Sequence, residues 1–321
     1  MSSGTDILQR PFLFVVGAPR SGTTWVHNLL AAHPQVAGLP GVELTLFSRY
    51  LAVPVSHFRR ERADIDAGRW NQGLAAVWSD DQFAAHVRNF LSEVYDPIAA
   101  RKPGATHVVD KHPNHVRHMS LIAEWLPKAR FIHVIRDGRE VAVSMMSVNR
   151  RKGHSPGELA EAARTWRDFI GLARKGAQEL PGRVHEVRYE KLRTNGPEEL
   201  ARLLAACGLD HDAALVHRLL EEFDINRRQL STGDAALNAL RDKPDAIWRA
   251  RLNARDRYRF HRWAGKRLCE LGYAQPWWWA DHAGQRLSIP ATAFLWRCGR
   301  TLQQAVRGWR AAATDPFEPL P

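Results

Sequence analysis

One stretch near the start of the chain, residues 12–30, constrains the fold more than any other. It begins with a continuous apolar run, Phe12 to Val16, which is typical of a strand buried on both faces of a sheet. The loop Gly17-Ala-Pro-Arg-Ser-Gly-Thr-Thr24 follows, and apolar side chains at helical spacing resume from Thr23. A strand, a glycine-containing loop and a helix in this order direct backbone N–H groups and a helix N-terminus at one point, where an anion binds. The stretch predicts an α/β fold with a phosphate-binding loop.

The loop differs from the loop that binds nucleoside triphosphates. That motif, G-x-x-x-x-G-K-[ST], requires a lysine where this chain has Thr23, and the cation here is Arg20, inside the loop. A guanidinium group is planar and matches two oxygens of one tetrahedral anion. Ser21, Thr23 and Thr24 add hydroxyl donors. We expect Arg20, Ser21, Gly22, Thr23 and Thr24 to bind one anion; the alternative is an ordinary strand–turn–helix without a ligand.

A second candidate anion site follows the apolar strand Ala129–Ile135. Arg136 comes directly after this strand, at the edge of the sheet where open α/β folds bind their ligands. Ser144 lies eight residues further on, about two helical turns, so its hydroxyl can approach the same anion. The alternative is a structural ion-pair network that involves Asp137 and Arg139.

Strands alternate with helices along the chain, which predicts a P-loop-like, doubly wound parallel sheet flanked by helices. We place this single domain at 1–273, with a final helix over Asp245–Leu271, and a Trp/Arg-rich helical C-terminal extension at 274–321. Trp277–Trp279 and the later arginines of the extension have two interpretations. They form a helix docked on the domain, or they lie in a membrane interface.

The composition limits the classes of molecule that this protein can be expected to bind. The formal net charge of +12 is compatible with nucleic acid, anionic lipid or an acidic cofactor, but the chain contains no nucleic-acid-binding module. Its three cysteines, Cys207, Cys269 and Cys298, have no metal-ligand spacing and indicate a reducing compartment. No apolar run is long enough to span a bilayer, and the first is too short for a signal peptide. We therefore expect a cytoplasmic protein without a metal.

Pro19-Arg-Ser-Gly-Thr-Thr24 resembles the 5′-phosphosulfate-binding loop of sulfotransferases that use 3′-phosphoadenosine-5′-phosphosulfate (PAPS). The most similar pattern is that of bacterial sulfotransferases related to tyrosylprotein sulfotransferases. The segment from Arg136 to Ser144 resembles the 3′-phosphate-binding motif of that family. The resemblance implies PAPS as the sulfuryl donor and 3′-phosphoadenosine-5′-phosphate (PAP) as the product.

The resemblance also implies catalytic residues. Lys111 matches the lysine of the family's Lys-x-Pro element and is expected to neutralise charge on the departing phosphate. Glu43, which we place at the start of the helix after the first crossover, matches the glutamate that acts as general base. His112 is the other candidate base, because cytosolic sulfotransferases use a histidine in a similar segment. From the residues alone, Lys111 also fits a surface turn, and Glu43 fits a partner for a helix dipole.

Three further residues complete the predicted cofactor site. Tyr189 matches a family tyrosine that lies near the adenine, although a core aromatic at a strand end is an equally good interpretation. Ser231 and Lys243 resemble a later segment that covers the cofactor.

The sequence thus predicts sulfuryl transfer from PAPS to an acceptor hydroxyl, with a carbohydrate or glycolipid favoured. A tyrosyl peptide or a small phenol is the alternative acceptor. A nucleotide kinase of the same fold and a basic scaffold without activity are the other hypotheses. The C-terminal extension would place the protein at the inner face of the membrane.

Overall fold

The computed structural model describes residues 6–153, 156–223 and 246–293. Five strands form one sheet: β1 (Phe12–Gly17), β2 (Val36–Ala37), β3 (His107–Lys111), β4 (Ala129–Ile135) and β5 (Val184–Arg188). Their order across the sheet is β2-β3-β1-β4-β5, and all four pairings are parallel. The predicted parallel sheet is confirmed, and its central strand β1 carries the glycine loop.

The helices of the described residues alternate with the strands and then continue beyond the last strand. They are α1 (Thr23–Ala32), α2 (Ala52–Asp66), α3 (Asp80–Ala100), α4 (Met119–Trp125), α5 (Gly138–Lys152), α6 (Leu159–Glu179), α7 (Tyr189–Thr194), α8 (Gly196–Cys207), α9 (Ala213–Glu222), α10 (Ala246–Arg251) and α11 (Ala254–Glu270). A single π-helical turn, Leu46–Leu51, precedes α2, and a 3₁₀ segment, Pro113–His118, precedes α4. Among the described residues, no helix is both long enough and apolar enough to cross a membrane.

Alternate residues of β1 face two different layers, because successive side chains of a strand point to opposite sides. Leu13 and Val15 belong to the core that the sheet shares with α1, α8 and α9. Phe12 and Phe14 point to the other side, where the ring of Phe12 lies 4.7 Å from that of Tyr95 on α3. Both faces of the sheet are therefore covered, which explains why β1 is apolar at every position.

Helix α1 is fixed at its C-terminal end by a cation from another part of the chain. Lys102 donates hydrogen bonds to the carbonyl oxygens of Ala31 (2.7 Å) and His33 (3.0 Å). These carbonyls lack partners within the helix, and a positive charge is favourable there. Lys102 therefore fixes the C-terminal end of α1.

The contacts divide the chain into two compact units, Met1–Ile247 and Trp248–Pro321. The sequence placed its boundary after Tyr273, whereas α11 belongs to the second unit by these contacts. In that unit the indole ring of Trp279 is 1% exposed and lies 4.7 Å from the ring of Tyr258 on α11. Arg257, also on α11, forms an ion pair with Asp281 at 2.6 Å. The start of the predicted extension is therefore docked on α11, while residues 294–321 lie outside the described part of the chain.

Two local predictions are wrong. The helix predicted over Asp245–Leu271 is interrupted, because the side chain of Asn253 accepts a hydrogen bond from the backbone N–H of Asp256 and starts a new helix. Glu43 does not begin a helix. It lies in an irregular segment, and the helical turn starts only at Leu46.

Candidate functional site

The glycine loop is folded tightly between its neighbours. Gly17 and Gly22 have backbone φ angles of 151° and 102°, which residues with a side chain rarely adopt. A Cβ atom on Gly17 would lie 2.6 Å from the carbonyl oxygen of Val134 on β4. A Cβ atom on Gly22 would lie 2.5 Å from the ring of Tyr189. Both positions therefore require glycine, because the backbone has a positive φ angle and because a neighbouring group occupies the space of a side chain.

The loop presents groups that suit an anion. The hydroxyl of Ser21 is buried and has no hydrogen-bond partner among the described residues, although buried polar atoms are normally paired. Thr23 is also buried, and no side chain caps the N-terminus of α1 at Gly22. The first N–H groups of α1 are thus available at the point where the helix dipole favours negative charge.

The two anion motifs predicted from the sequence meet in space. The Nε atom of Arg20 donates to Oγ of Ser144 at 3.2 Å, across 124 positions of the chain. Nη1 of Arg136 donates to the carbonyl oxygen of Arg20 at 3.3 Å. Arg20 itself has a left-handed backbone, with φ of 73°. The structure therefore brings both arginines and Ser144 to one edge of the sheet.

Arg136 lies over an aromatic ring. Its guanidinium carbon is 4.4 Å from the ring centroid of Tyr189, and Nη2 is 3.6 Å from Oε2 of Glu140. The alternative ion pair also forms, since Arg139 binds the carboxylate of Asp137 through Nη2 at 2.6 Å, and both side chains are buried. In this segment, Arg136 therefore belongs to the candidate anion site, whereas Asp137 and Arg139 form the structural ion pair that was the alternative interpretation.

A second cluster adjoins the loop. Nζ of Lys111, at the end of β3, donates to Oγ1 of Thr24 at 3.2 Å and to Oε1 of Glu43. The other carboxylate oxygen of Glu43 lies 4.0 Å from Nε2 of His112. Lys111 is buried, whereas 45% of the Glu43 side chain is exposed. The structure therefore unites both candidate bases and the predicted lysine around one solvent-accessible carboxylate.

Two histidines in this region remain uncharged at neutral pH. Burial lowers the pKa of His112, and His115 lowers it further. Burial also lowers the pKa of His27 to about 4, with Lys111 as the next cause. A neutral imidazole accepts a proton or a hydrogen bond, which a charged one cannot do.

Three residues in or beside the site were not predicted from the sequence, and two predicted residues lie outside the described part of the chain. His27 was missed, although a buried His27-Asn28 pair inside an otherwise apolar helix was a visible signal. Asp110 and His115, beside the Lys111 cluster, were also missed, because no local pattern in residues 110–115 reports that these two side chains are buried. Ser231 and Lys243 lie outside the described residues, so their proximity to the site stays a prediction.

Comparisons with known proteins identify a family for this chain. Residues 11–213 match the model described as "Sulfotransferase family". The chain is 27% identical over 213 residues to protein-tyrosine sulfotransferase 1 of Danio rerio, which covers 64% of this chain and 56% of that protein. It is 27% identical over 249 residues to a putative protein-tyrosine sulfotransferase of Caenorhabditis briggsae, which covers 74% of this chain and 80% of that one.

A solved structure supports the fold. The sulfotransferase domain of the Synechococcus PCC 7002 olefin synthase superimposes with a TM-score of 0.52 and 22% identity, over 86% of this chain and 98% of that domain. The chain spans just over half the length of the Danio rerio relative. Because the family model covers most of the chain, including the glycine loop, Lys111 and Arg136, this protein belongs to the sulfotransferase family.

Proposed function

We propose that the protein transfers the sulfuryl group of PAPS to the hydroxyl group of an acceptor. The observation that carries this proposal is the contact of Lys111 with both Thr24 of the anion loop and Glu43. A cation for the departing phosphate and a base that activates the acceptor are thereby held beside one point. Acyl or hydride transfer would not require an anion loop beside such a pair.

The residues present fit PAPS. The buried, unpartnered hydroxyl of Ser21 and the uncapped N-terminus of α1 suit the 5′-phosphosulfate. Arg136 and Ser144 would hold the 3′-phosphate, and the ring of Tyr189 offers a face near the adenine. Arg20 contacts Ser144 and so reaches toward the second phosphate as well as the loop.

The chain's own residues account for the proton and charge movements. PAPS, when bound, supplies an electrophilic sulfuryl group attached to a phosphate leaving group. Glu43 accepts the proton of the acceptor hydroxyl while that oxygen attacks the sulfur. Lys111 stabilises the negative charge that develops on the departing phosphate oxygen, and its burial makes that interaction stronger than it would be in water.

A nucleotide kinase is the nearest rival of the same fold. Its loop requires a lysine after the second glycine, and Thr23 occupies that position here. The carboxylate of Asp137, just after β4, is also held in a buried ion pair with Arg139, which removes it from a role in binding magnesium.

For the acceptor, two classes have comparable support. The sequence favoured a carbohydrate or glycolipid hydroxyl, whereas the relatives named as protein-tyrosine sulfotransferases support a tyrosyl peptide equally. Transfer of labelled sulfate from PAPS to a panel of glycans, glycolipids, tyrosyl peptides and small phenols tests both. No transfer to any member, together with tight ATP binding, would contradict the proposal.

The cytoplasmic location and the membrane contact of residues 274–321 are further parts of this proposal. The basic composition of residues 297–310 supports the contact, at about 1 kcal/mol for each arginine near an anionic bilayer. Co-sedimentation of the full-length protein with vesicles of phosphatidylserine or of phosphatidylcholine alone tests it. Binding to both vesicle types alike, or to neither, would remove the electrostatic contact. Truncation after Gln275 would remove Trp279, which is buried in the second unit, so we expect the truncated protein to lose solubility.

A further inference from the structure

A buried carboxylate lies directly behind Lys111 in β3. The side chain of Asp110 is 1% exposed, and its Oδ2 atom accepts a hydrogen bond of 2.9 Å from the hydroxyl of Tyr95 on α3. Nε2 of His115 lies 3.3 Å from the same oxygen, and the His115 side chain is completely buried. The buried carboxylate and the buried imidazole therefore lie side by side, and the hydroxyl of Tyr95 fixes the same carboxylate oxygen.

His115 also connects the segments that carry the candidate bases. Its ring centroid lies 5.5 Å from that of His112, 5.4 Å from that of Phe14 on β1 and 6.0 Å from that of Phe47. Phe47 lies in the helical turn that follows Glu43. These edge-to-face contacts fix the ring of His115 between β1, the turn after Glu43 and His112.

Charged and titratable groups face His112 from three segments. Asp110 and Lys111 face it from β3, Glu43 faces it from the irregular segment, and His115 faces it from its own 3₁₀ segment. Burial is the largest influence and lowers the pKa of His112. His115 and Lys111 act in the same direction, whereas Glu43 and Asp110 raise that pKa.

We propose that Asp110 and His115 are a positioning pair for the reaction: Asp110 anchors the ring of His115, and His115 holds the ring of His112 beside Glu43, so that Glu43 stays available to the acceptor hydroxyl. The role of Glu43 in this statement rests on the proposed function. The proposal concerns residues that do not touch the donor or the acceptor and act through His112.

The chemical reason is competition for one carboxylate. An imidazolium at 4.0 Å from Oε2 would form an ion pair with Glu43, which already contacts Lys111 through Oε1. With a cation on each oxygen, the carboxylate would be a poor base. A neutral His112 leaves one oxygen of Glu43 free to accept the proton of the acceptor.

The proposal can be tested without turnover, by following the C2–H signal of His112 in NMR titrations of the complete protein. Since the chain has 15 histidines, the signal is assigned by its loss in His112→Gln. The wild-type His112 should titrate below its ordinary value of about 6.5. Asp110→Asn should lower the pKa of His112 further and His115→Gln should raise it, each by on the order of half a pH unit, because Asp110 raises that pKa and His115 lowers it.

His118→Gln is the matched control. His118 lies in the same 3₁₀ segment and is half-buried, but it has no described contact with Asp110 or Glu43. Its replacement should leave the His112 titration unchanged. If the substitutions merely loosened the segment, the pKa of His112 would move in the same direction in Asp110→Asn and in His115→Gln. Shifts of opposite sign therefore distinguish electrostatic positioning from structural damage.

A rise of the His112 pKa in Asp110→Asn, or no rise in folded His115→Gln, overturns the proposal. If His115→Gln does not fold, the result for Asp110→Asn decides alone. If neither variant folds, a wild-type His112 pKa at or above the ordinary value of about 6.5 overturns the proposal. With an active acceptor, the acid limb of the pH–rate profile should move with the NMR values. NMR shifts as expected without any sulfuryl transfer would instead contradict the proposed function and leave the positioning pair supported.

Discussion

The two sides of the candidate site are built differently. The proposed donor side comprises the loop Gly17–Thr24 with Arg136, Ser144 and Tyr189; Ser144 lies within α5, and the other residues lie at the ends of strands and helices. Its backbone is fixed by glycines that tolerate no side chain. The acceptor side, Glu43 and His112, includes an irregular segment with an exposed carboxylate. Under the proposed function, a donor side on a fixed backbone and an acceptor side on an irregular segment would allow one cofactor to serve many acceptors, because loops vary more easily than strand ends.

The largest effect should come from the acceptor side. Glu43→Gln retains the size of the side chain and removes its basicity, so turnover should fall about 100-fold or more. PAP affinity, measured by calorimetry, should change little, because the donor side is untouched. Near-normal turnover in Glu43→Gln, with a collapse in His112→Ala, would assign the base to His112.

On the donor side, Arg136→Gln should abolish the preference for a 3′-phosphate. Loss of a charge-assisted contact with phosphate costs about 2–3 kcal/mol, which corresponds to roughly 30-fold or more in affinity. The measurement is the ratio of the dissociation constants of PAP and its 3′-dephosphorylated form. Arg139→Gln is the control, since Arg139 is paired with Asp137; it should lower the melting temperature without changing the ratio. Equal affinity of the wild type for both nucleotides would remove the second anion site.

Gly22→Ala should separate backbone strain from steric conflict. The new methyl group meets the ring of Tyr189 at 2.5 Å in a left-handed backbone, so PAP affinity should fall about 10-fold through displacement of the loop. Gly208→Ala is the matched control, with φ of 76° and no atom within 4 Å of its Cβ position. It should reduce stability but not PAP affinity. Similar PAP affinities for both variants would show that the loop does not depend on this contact.

Thr24 joins the two sides, and its substitution should have the smallest effect. Thr24→Val removes the hydroxyl that accepts from Lys111, at a cost of about 1 kcal/mol, or about 5-fold in turnover. Thr24→Ser keeps the hydroxyl and should restore most of the rate. A loss in Thr24→Ser equal to that in Thr24→Val would assign the effect to packing.

The donor side was largely predictable and the acceptor side was not. β4 was predicted with its observed bounds, and Arg136 follows it at the expected edge, because a continuous apolar run identifies a buried strand. The hydrogen bond of Arg20 with Ser144 was not predictable, since no local pattern reports a contact across 124 positions. The position of Glu43 was predicted wrongly, because its segment has no periodicity to interpret.

Burial and capping account for other differences between prediction and structure. Nothing in the sequence at the end of β3 and just after it indicates that Asp110 and His115 are buried, because their burial comes from α3 and Phe47, which are distant in sequence. The amphipathic pattern of residues 245–271 continues through the interruption before α11. The cap formed by Asn253 decides that interruption, and a single polar residue is a weak signal inside a periodic segment.

The close approach of Gly22 to Tyr189 has a consequence for how relatives of this protein diverge. The ring occupies the space that any Cβ atom at position 22 would need. A lineage that acquires a side chain at position 22 must therefore also exchange the tyrosine for a smaller residue or move α7. We expect positions 22 and 189 to covary across the family, with glycine retained wherever the aromatic ring is retained.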